Sequence, residues 1–293
     1  MLPTFVIFLR EGVEASMLVA ILLAYLARSG QREHFRDVYL GVAAALVLAF
    51  GGGTAAFLVI HTYAGSRVQT IFETGTFLLA AAVLTYMTFW MHSHARSLSA
   101  ELRAKADSAM GRGARWSLAL VAFQAVGREG LETVVFTLAI FFAASNARAN
   151  FATSIPAAAM GAALGVVCAL GIAFAIYRLG HRLNLGRFFQ VVGTLLMLFA
   201  AGLLADAVEN LQQLHWLSLL SQPLWNTTAV LSEAGAVGDI LHTFLGYAAQ
   251  PTGLQVLVYS AYVLAAAGGF FWISGRPRRA RMPVPPPADA ATS

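Results

Sequence analysis

The stretch REGVEA, residues 10–15, lies in the middle of the apolar segment LPTFVIFLREGVEASMLVAILLAYLA, residues 2–27. A charged side chain at the centre of a bilayer costs about 2.5–3.5 kcal/mol on insertion scales, so ionisable groups at that depth indicate a function. Between Arg10 and Arg28 the segment holds no other basic residue. Its charged centre therefore predicts a functional site within a membrane-spanning helix.

The composition is that of an integral membrane protein. Of 293 residues, 58% are hydrophobic and 11% are charged, whereas a soluble domain has about 25% charged residues. A spanning helix needs about 20 apolar residues, and seven stretches provide them: 3–27, 38–60, 68–91, 116–143, 155–178, 188–208 and 254–274. We predict an all-α polytopic protein with seven transmembrane helices, the first retained rather than cleaved as a signal peptide. The single cysteine, Cys168, excludes an internal disulfide and a thiolate metal cluster.

Most of the Lys and Arg residues lie on one predicted side of the membrane. Fifteen of the 19 Lys and Arg lie in the loops after helices 1, 3 and 5 or in the tail, while the opposite loops hold only Arg67 and Arg148. The positive-inside rule then places the N-terminus outside and the C-terminus in the cytoplasm. This distribution argues against a nucleic-acid partner. The basic, proline-rich tail, residues 276–293, is predicted to be disordered and cytoplasmic.

The charged motif returns 118 residues later as REGLET, residues 128–133. The same offset relates GTFLLAA at Gly75 to GTLLMLF at Gly193, and an offset of 120 relates LGVAAAL at Leu40 to MGAALGV at Met160. We infer two repeats, about 3–91 and 116–208, within a permease domain of residues 1–275. Three spans per repeat is an odd number, so the copies must be inverted, as in many transporters. Helix 7 (254–274) lies outside the repeat, and the extracytoplasmic segment 209–253 is expected to contain short interfacial helices.

Each motif places two carboxylates on one helix face, because residues three or four apart are neighbours on a helix. The four candidate metal ligands are Glu11, Glu14, Glu129 and Glu132. Arg10 and Arg128 lie four residues before the second glutamate of each motif, where they can partly neutralise it. Gly12 and Gly130 are expected to let helices 1 and 4 approach closely, as small residues do in membranes.

Bare carboxylates this close together cannot all stay ionised in a dry core, so they must be protonated or hold a multivalent cation. Oxygen ligands suit hard cations, of which ferric iron is a very hard one. Zinc or cuprous sites are expected to show His or Cys, which the motifs lack. The alternative is that each Arg–Glu pair is a buried salt bridge that locks two helices together.

The doubled motif resembles the hallmark of the high-affinity iron permeases, the oxidase-dependent iron transporters that include fungal plasma-membrane permeases and bacterial EfeU-type proteins. The resemblance covers residues 1–275, with Val13 in place of the usual leucine in the first motif. It implies uptake of ferric iron across the cytoplasmic (inner) membrane beside an extracytoplasmic oxidase, peroxidase or iron-binding partner. It also implies that the four motif glutamates bind the ion while the two arginines hold and tune them. The family's Asp-Ala-x-Glu motif is matched by DAVE, residues 206–209.

Further candidates lie outside the motifs. Glu73 in helix 3 is a fifth candidate metal ligand, and Asp206 and Glu209 are expected to form an acidic outer mouth that concentrates cations. Gln124 is expected to cross-link helix 4 or line the pathway. The pair Met87 and Met91 is ascribed to core packing. The five tryptophans, Trp90 among them, are ascribed to the interfacial aromatic belt.

The sequence thus favours a secondary-type iron permease that is not an enzyme and needs no cofactor, iron being the transported substrate. A permease for lead, manganese or ferrous iron remains open, because the motif alone does not separate these cations. An intramembrane hydrolase is disfavoured, since neither motif offers a histidine or a nucleophile beside its glutamates. A structural or sensory membrane subunit, with the charges joining helices, is the remaining alternative.

Overall fold

A computed structural model describes residues 1–94, 102, 104–108, 114–147, 151–179, 185–232 and 235–274. The predicted tail, 276–293, lies outside the described residues. Within these ranges the chain forms helices and loops without a β-strand. The helices are α1 (Leu2–Arg28), α2 (Phe35–His61), α3 (Arg67–His94), α4 (Ala114–Ala147), α5 (Phe151–Leu179), α6 (Leu185–Gln213), α7 (Ala236–Leu245) and α8 (Gly253–Ser274).

A long helix covers each of the seven predicted apolar stretches. Among the described residues, five helices are long and apolar enough to cross a membrane: α2, α3, α5, α6 and α8. The other two long helices, α1 and α4, are the ones that carry the charged motifs. The short helix α7 lies in the segment predicted to be extracytoplasmic, but it packs against α1, α4 and α6.

The long helices pair across the two halves of the chain rather than within them. Helix α1 packs mainly on α5, α2 on α4 and α3 on α6, while α1 and α4 also touch each other. Helix α8 lies against α6, outside these pairs. A hydrogen bond between the hydroxyls of Thr85 and Tyr262, 2.6 Å apart, joins it to α3.

Close contacts at glycine repeat in the two halves. A Cβ atom placed on Gly12 would lie 2.8 Å from the Cβ of Ala169 in α5, and one placed on Gly130 would lie 2.9 Å from the Cβ of Ala49 in α2. The two glycines are 118 residues apart and the two alanines 120 residues apart, the same offsets as in the sequence. The expectation that these glycines bring α1 and α4 together is wrong, because each instead lets its helix meet the second helix of the other half.

A second pair of close contacts, made with backbone atoms, is also related by the repeat offsets. A Cβ atom on Gly41 would lie 2.1 Å from the carbonyl oxygen of Ala119, and one on Gly161 would lie 2.3 Å from that of Met1. The offsets between partners are again 120 and 118 residues. Only glycine permits these approaches, since a side chain would occupy the space of the neighbouring backbone.

The motifs lie between two apolar clusters. One cluster contains Ile7, Phe77, Phe136 and Phe199, each at most 1% exposed. The other lies on α1 from Leu18 onward and on α4 before the second motif, and it also takes in a residue of α2 and two residues between α3 and α4. Its members are Leu18, Leu22, Leu26, Val38, Leu102, Ala106, Leu118 and Ala122. Along both α1 and α4 the charged residues separate the two clusters. The packing therefore confines the charges to one layer in the middle of the bundle.

Candidate functional site

Three carboxylates from the two motifs converge inside the bundle. One oxygen each of Glu11, Glu14 and Glu129 lies within 4.8 Å of the other two. The residues are 3%, 6% and 6% exposed. Spacing on α1 brings Glu11 and Glu14 to one face, and the contact between α1 and α4 adds Glu129. We call this group the three-carboxylate cluster.

Arg10 lies beside the cluster and is itself buried, with a side chain 3% exposed. Its Nη1 donates to Oε1 of Glu11 at 2.9 Å, and its Nε lies 3.2 Å from Oε1 of Glu14. The spacing of the motif predicts the second contact, whereas the first depends on how the side chain bends back. One guanidinium therefore offsets part of the charge of two carboxylates.

Arg128 occupies a different position although its motif is nearly the same. Its Nε lies 3.0 Å from Oε1 of Glu132, and its side chain is 41% exposed. Its Nη2 donates to Sδ of Met87, and its Cζ lies 5.0 Å from the ring centroid of Trp90. Glu132 thus pairs with Arg128 and is not part of the three-carboxylate cluster, although it remains within electrostatic reach of Glu14.

Several carboxylate oxygens of the site have no donor. Oε2 of Glu11, of Glu129 and of Glu132 is buried and accepts no hydrogen bond from the residues that the structure describes. A buried acceptor without a partner is costly, and a buried charge more so. A cation among these oxygens would satisfy them. The donor set therefore fits a hard metal ion.

A cavity of about 160 Å³ reaches the cluster from one end of the bundle. Glu14, Arg128 and Glu129 line it on the side of the cluster, and Lys105 lines it further out. The hydroxyl of Tyr25, near the C-terminal end of α1, donates to Asp107, which lies close to Lys105 in sequence. The cavity thus lies toward the end of the bundle that the positive-inside rule assigns to the cytoplasm. Gln124 lines it as well.

The other predicted acids lie apart from the cluster or inside the protein. Glu73 is 4% exposed and accepts a hydrogen bond from Nε2 of Gln69 at 2.6 Å; the three-carboxylate cluster does not include it. Asp206 is 7% exposed, so it does not form the open acidic mouth that the sequence suggests. Glu209 accepts hydrogen bonds from Nε2 of Gln255 at 3.0 Å and of Gln213 at 3.3 Å. Amide donors thus hold Glu209.

Sequence reasoning missed the contact of Trp90 and Met87 with the second motif. Assigning Trp90 to the aromatic belt overlooked its contact with the Arg128 guanidinium, and assigning Met87 to core packing overlooked its sulfur as an acceptor. A comparison of the two repeats, position by position at the offset of 118 residues, could have drawn attention to Trp90 and Met87. At the positions 118 residues later, helix α6 has Val208 and Ala205, which can make neither contact.

Comparison with known proteins gives a family model and several relatives that cover most of the chain. Residues 1–276 match the profile of the iron permease FTR1 family. The chain is 34% identical over 276 residues to the ferrous iron permease EfeU of Yersinia pestis, covering 92% of this chain and 93% of that protein. It is 32% identical over 275 residues to the protein of the same name from Escherichia coli O6:H1, covering 92% and 95%. No solved structure matches the chain.

Proposed function

This chain belongs to the iron permease FTR1 family, and from that premise we propose that it takes up iron through a carboxylate site in its two REGxE motifs. The observation that carries the proposal is the convergence of Glu11, Glu14 and Glu129 from two helices in one buried layer. A helix-locking salt bridge needs one carboxylate for each arginine. A third carboxylate beside Arg10, with unpaired oxygens, is what binding of a multivalent cation requires.

In this proposal the glutamates replace water around the ion. The cluster supplies three carboxylates, and Glu132 adds a fourth when its pairing with Arg128 is released. Arg10 keeps the empty site from carrying its full negative charge, since its guanidinium contacts Glu11 and Glu14. Ions then leave through the cavity beside Glu14 and Glu129. Glu73, Asp206 and Glu209 remain candidates for earlier stations on the outer side.

The oxidation state of the iron has two candidates. Oxygen-only ligation favours ferric iron, a harder cation than ferrous iron. The names of the relatives, ferrous iron permeases, favour the ferrous ion. We retain ferric iron as the first candidate and ferrous iron as the second; transport supplied with each form separates them.

We also propose that α1–α3 and α4–α6 are inverted repeats and that α8 is the seventh membrane span. The pairing of α1 with α5, α2 with α4 and α3 with α6 supports this arrangement, because a two-fold axis exchanges the partners in each pair. The recurring glycine contacts at offsets of 118 and 120 support it further. A site at the interface of two such repeats is common among transporters. The proposal includes the inner membrane as location and an extracytoplasmic oxidase, peroxidase or iron-binding partner.

The test is iron uptake into proteoliposomes by Glu11→Gln and Glu129→Gln variants. Loss of even an outer partner of a metal ligand costs about 10–100-fold in affinity or activity, so each variant is expected to lose at least about tenfold in uptake. The amide keeps the size of the side chain but removes its charge. Ferric citrate and anaerobic ferrous iron are supplied in parallel, with lead and manganese as competitors.

The matched control is Glu33→Gln, whose carboxylate lies between α1 and α2 with a side chain 82% exposed. It should transport as the wild type does. All variants are first compared for folding by size-exclusion chromatography. Folded Glu11→Gln and Glu129→Gln proteins that carry iron at wild-type rates would overturn the proposed site and favour the structural salt bridge.

A further inference from the structure

The two motifs read REGVE and REGLE, yet their arginines have different surroundings. The side chain of Arg10 is 3% exposed and contacts both glutamates of its own motif. The side chain of Arg128 is 41% exposed and forms its ion pair with the second glutamate, Glu132. The motif itself does not account for this difference, because its charged residues are the same in both copies.

Arg128 has two neighbours in α3 that contact its guanidinium. The Trp90 ring lies 5.0 Å from Cζ of Arg128, a distance at which the face of an indole attracts a guanidinium. Sδ of Met87 accepts a hydrogen bond from Nη2 of the same group. Both residues belong to α3, one helical turn apart, so they contact the guanidinium together. We call Trp90 and Met87 the arginine-holding pair.

The other repeat has no such pair. At the repeat offset of 118 residues, Trp90 corresponds to Val208 and Met87 to Ala205 in α6. These residues are 7% and 6% exposed and offer neither an aromatic face nor a sulfur. The arginine-holding pair therefore occurs in one repeat only, and Trp90 lines the cavity that reaches the carboxylates.

The position of Arg128 changes the charge balance of the cluster. In the first motif, Nη1 of Arg10 donates to the adjacent Glu11. The equivalent partner of Arg128 is Glu129, but the ion pair that Arg128 forms within the described residues is with Glu132. Oε2 of Glu129, like Oε2 of Glu11, is buried and accepts no hydrogen bond from those residues. Glu129 and Arg128 line the same cavity. The guanidinium is thus close to Glu129 without satisfying that oxygen.

We propose that Trp90 and Met87 are positioning residues that hold Arg128 away from Glu129 and so preserve the cation affinity of the cluster while the cavity is open. In the next step Arg128 leaves the arginine-holding pair, keeps its ion pair with Glu132 and binds Glu129 as well, as Arg10 contacts both glutamates of its own motif. It thereby displaces the ion into the cavity and resets the site. This inference rests on the proposed function, because it assigns the release step to the same carboxylates.

Iron binding to the purified protein tests the proposal, with calorimetry of ferrous iron under anaerobic conditions and of ferric citrate. Trp90→Leu removes the aromatic face and frees Arg128 to pair with Glu129. Its Kd is expected to rise about 2- to 30-fold, the range that a cation–π contact covers. Trp90→Phe keeps an aromatic face and should restore most of the affinity. Met87→Leu, which keeps the volume and loses the sulfur, should shift Kd in the same direction by less.

A double-mutant cycle separates this role from a structural one. In an Arg128→Gln background there is no guanidinium to hold, so Trp90→Leu and Met87→Leu should leave Kd unchanged. Trp116→Leu and Met160→Leu are the controls, because these side chains are 83% and 53% exposed on other helices. Neither should shift Kd in either background.

The outcomes distinguish this inference from the proposed function. If Trp90→Leu and Met87→Leu keep the wild-type Kd, or shift it equally with and without Arg128, the positioning role is wrong while iron binding stands. If Trp90→Leu does not fold, the double-mutant cycle of Met87→Leu and Arg128→Gln tests the positioning role by the same criterion. If the wild type does not bind iron, or Glu129→Gln binds it equally well, the proposed site itself fails.

Discussion

Arg10 and Arg128 show that the same residue in the same motif has different energetic roles. Arg10 is buried beside two buried carboxylates, so the protein depends on it to keep those charges inside. Arg128 reaches the cavity and is partly exposed. Removing one partner of a buried ion pair leaves an uncompensated charge and is strongly destabilising, whereas exposed pairs contribute little.

We therefore predict unequal stability losses for Arg10→Gln and Arg128→Gln. Arg10→Gln should lower the free energy of unfolding by about 3–5 kcal/mol, as for a broken buried pair. Arg128→Gln should lower it by less than that, because the Arg128 side chain is 41% exposed while only its partner Glu132, 11% exposed, is largely buried. Thermal unfolding in one detergent, followed by intrinsic fluorescence, measures both. Equal losses for the two variants would contradict the difference in burial.

At the scale of helices, the packing of α2 on α4 and of α1 on α5 depends on the absence of a side chain at particular positions. Gly41 and Gly161 each lie where a Cβ atom would meet a carbonyl oxygen of the partner helix at 2.1 and 2.3 Å. Membrane helices associate through close packing of small residues, since the lipid offers little hydrophobic driving force between them. These helix pairs position the two motifs, so a change at the glycines reaches the site indirectly.

Gly41→Val is expected to push α2 away from α4 and to destabilise the fold by about 1–3 kcal/mol or more, the usual cost of overpacking. The matched control is Gly51→Val on the same helix, where a Cβ atom would meet nothing within 4 Å. The yield of monodisperse protein and the unfolding temperature compare the two variants. Similar behaviour of both would show that α2 and α4 do not pack closely in the membrane.

For the whole molecule, the charge distribution predicts two sides, and the structure shows where the cavity lies relative to them. The cavity beside Glu14 and Glu129 lies toward the end of the bundle that the positive-inside rule assigns to the cytoplasm. On the opposite side, α7 packs against α1, α4 and α6. The site is thus reached from one end of the bundle in this conformation, as alternating access requires of each state of a transporter.

Cysteine labelling is expected to confirm these sides. In a Cys168→Ser background, Ser29→Cys and Gln124→Cys should react with a membrane-impermeant thiol reagent from the cytoplasmic side. Ala64→Cys, in the loop between α2 and α3, should react from the outside. All three positions are exposed. Right-side-out and inverted vesicles give the two readings, and labelling of Ser29→Cys and Ala64→Cys from one side would refute the topology.

The sequence by itself determined the helices and the character of the site. Apolar stretches of about 20 residues fold as helices in a membrane because their backbone groups must be satisfied internally. Arginines and glutamates repeated at an offset of 118 residues imply a paired charged layer in a bundle. Spacing within one helix also predicted that Glu11 and Glu14 share a face. All of these features follow from local periodicity and composition.

Only the tertiary structure decided which groups meet. It placed Glu129 with Glu11 and Glu14 but left Glu132 with Arg128. It paired Gly12 with Ala169 rather than with α4. It also brought Trp90 and Met87 of α3 to Arg128 of α4. Such contacts depend on the rotation and spacing of helices far apart in the chain, and the periodicity of one helix does not specify how it is turned toward another.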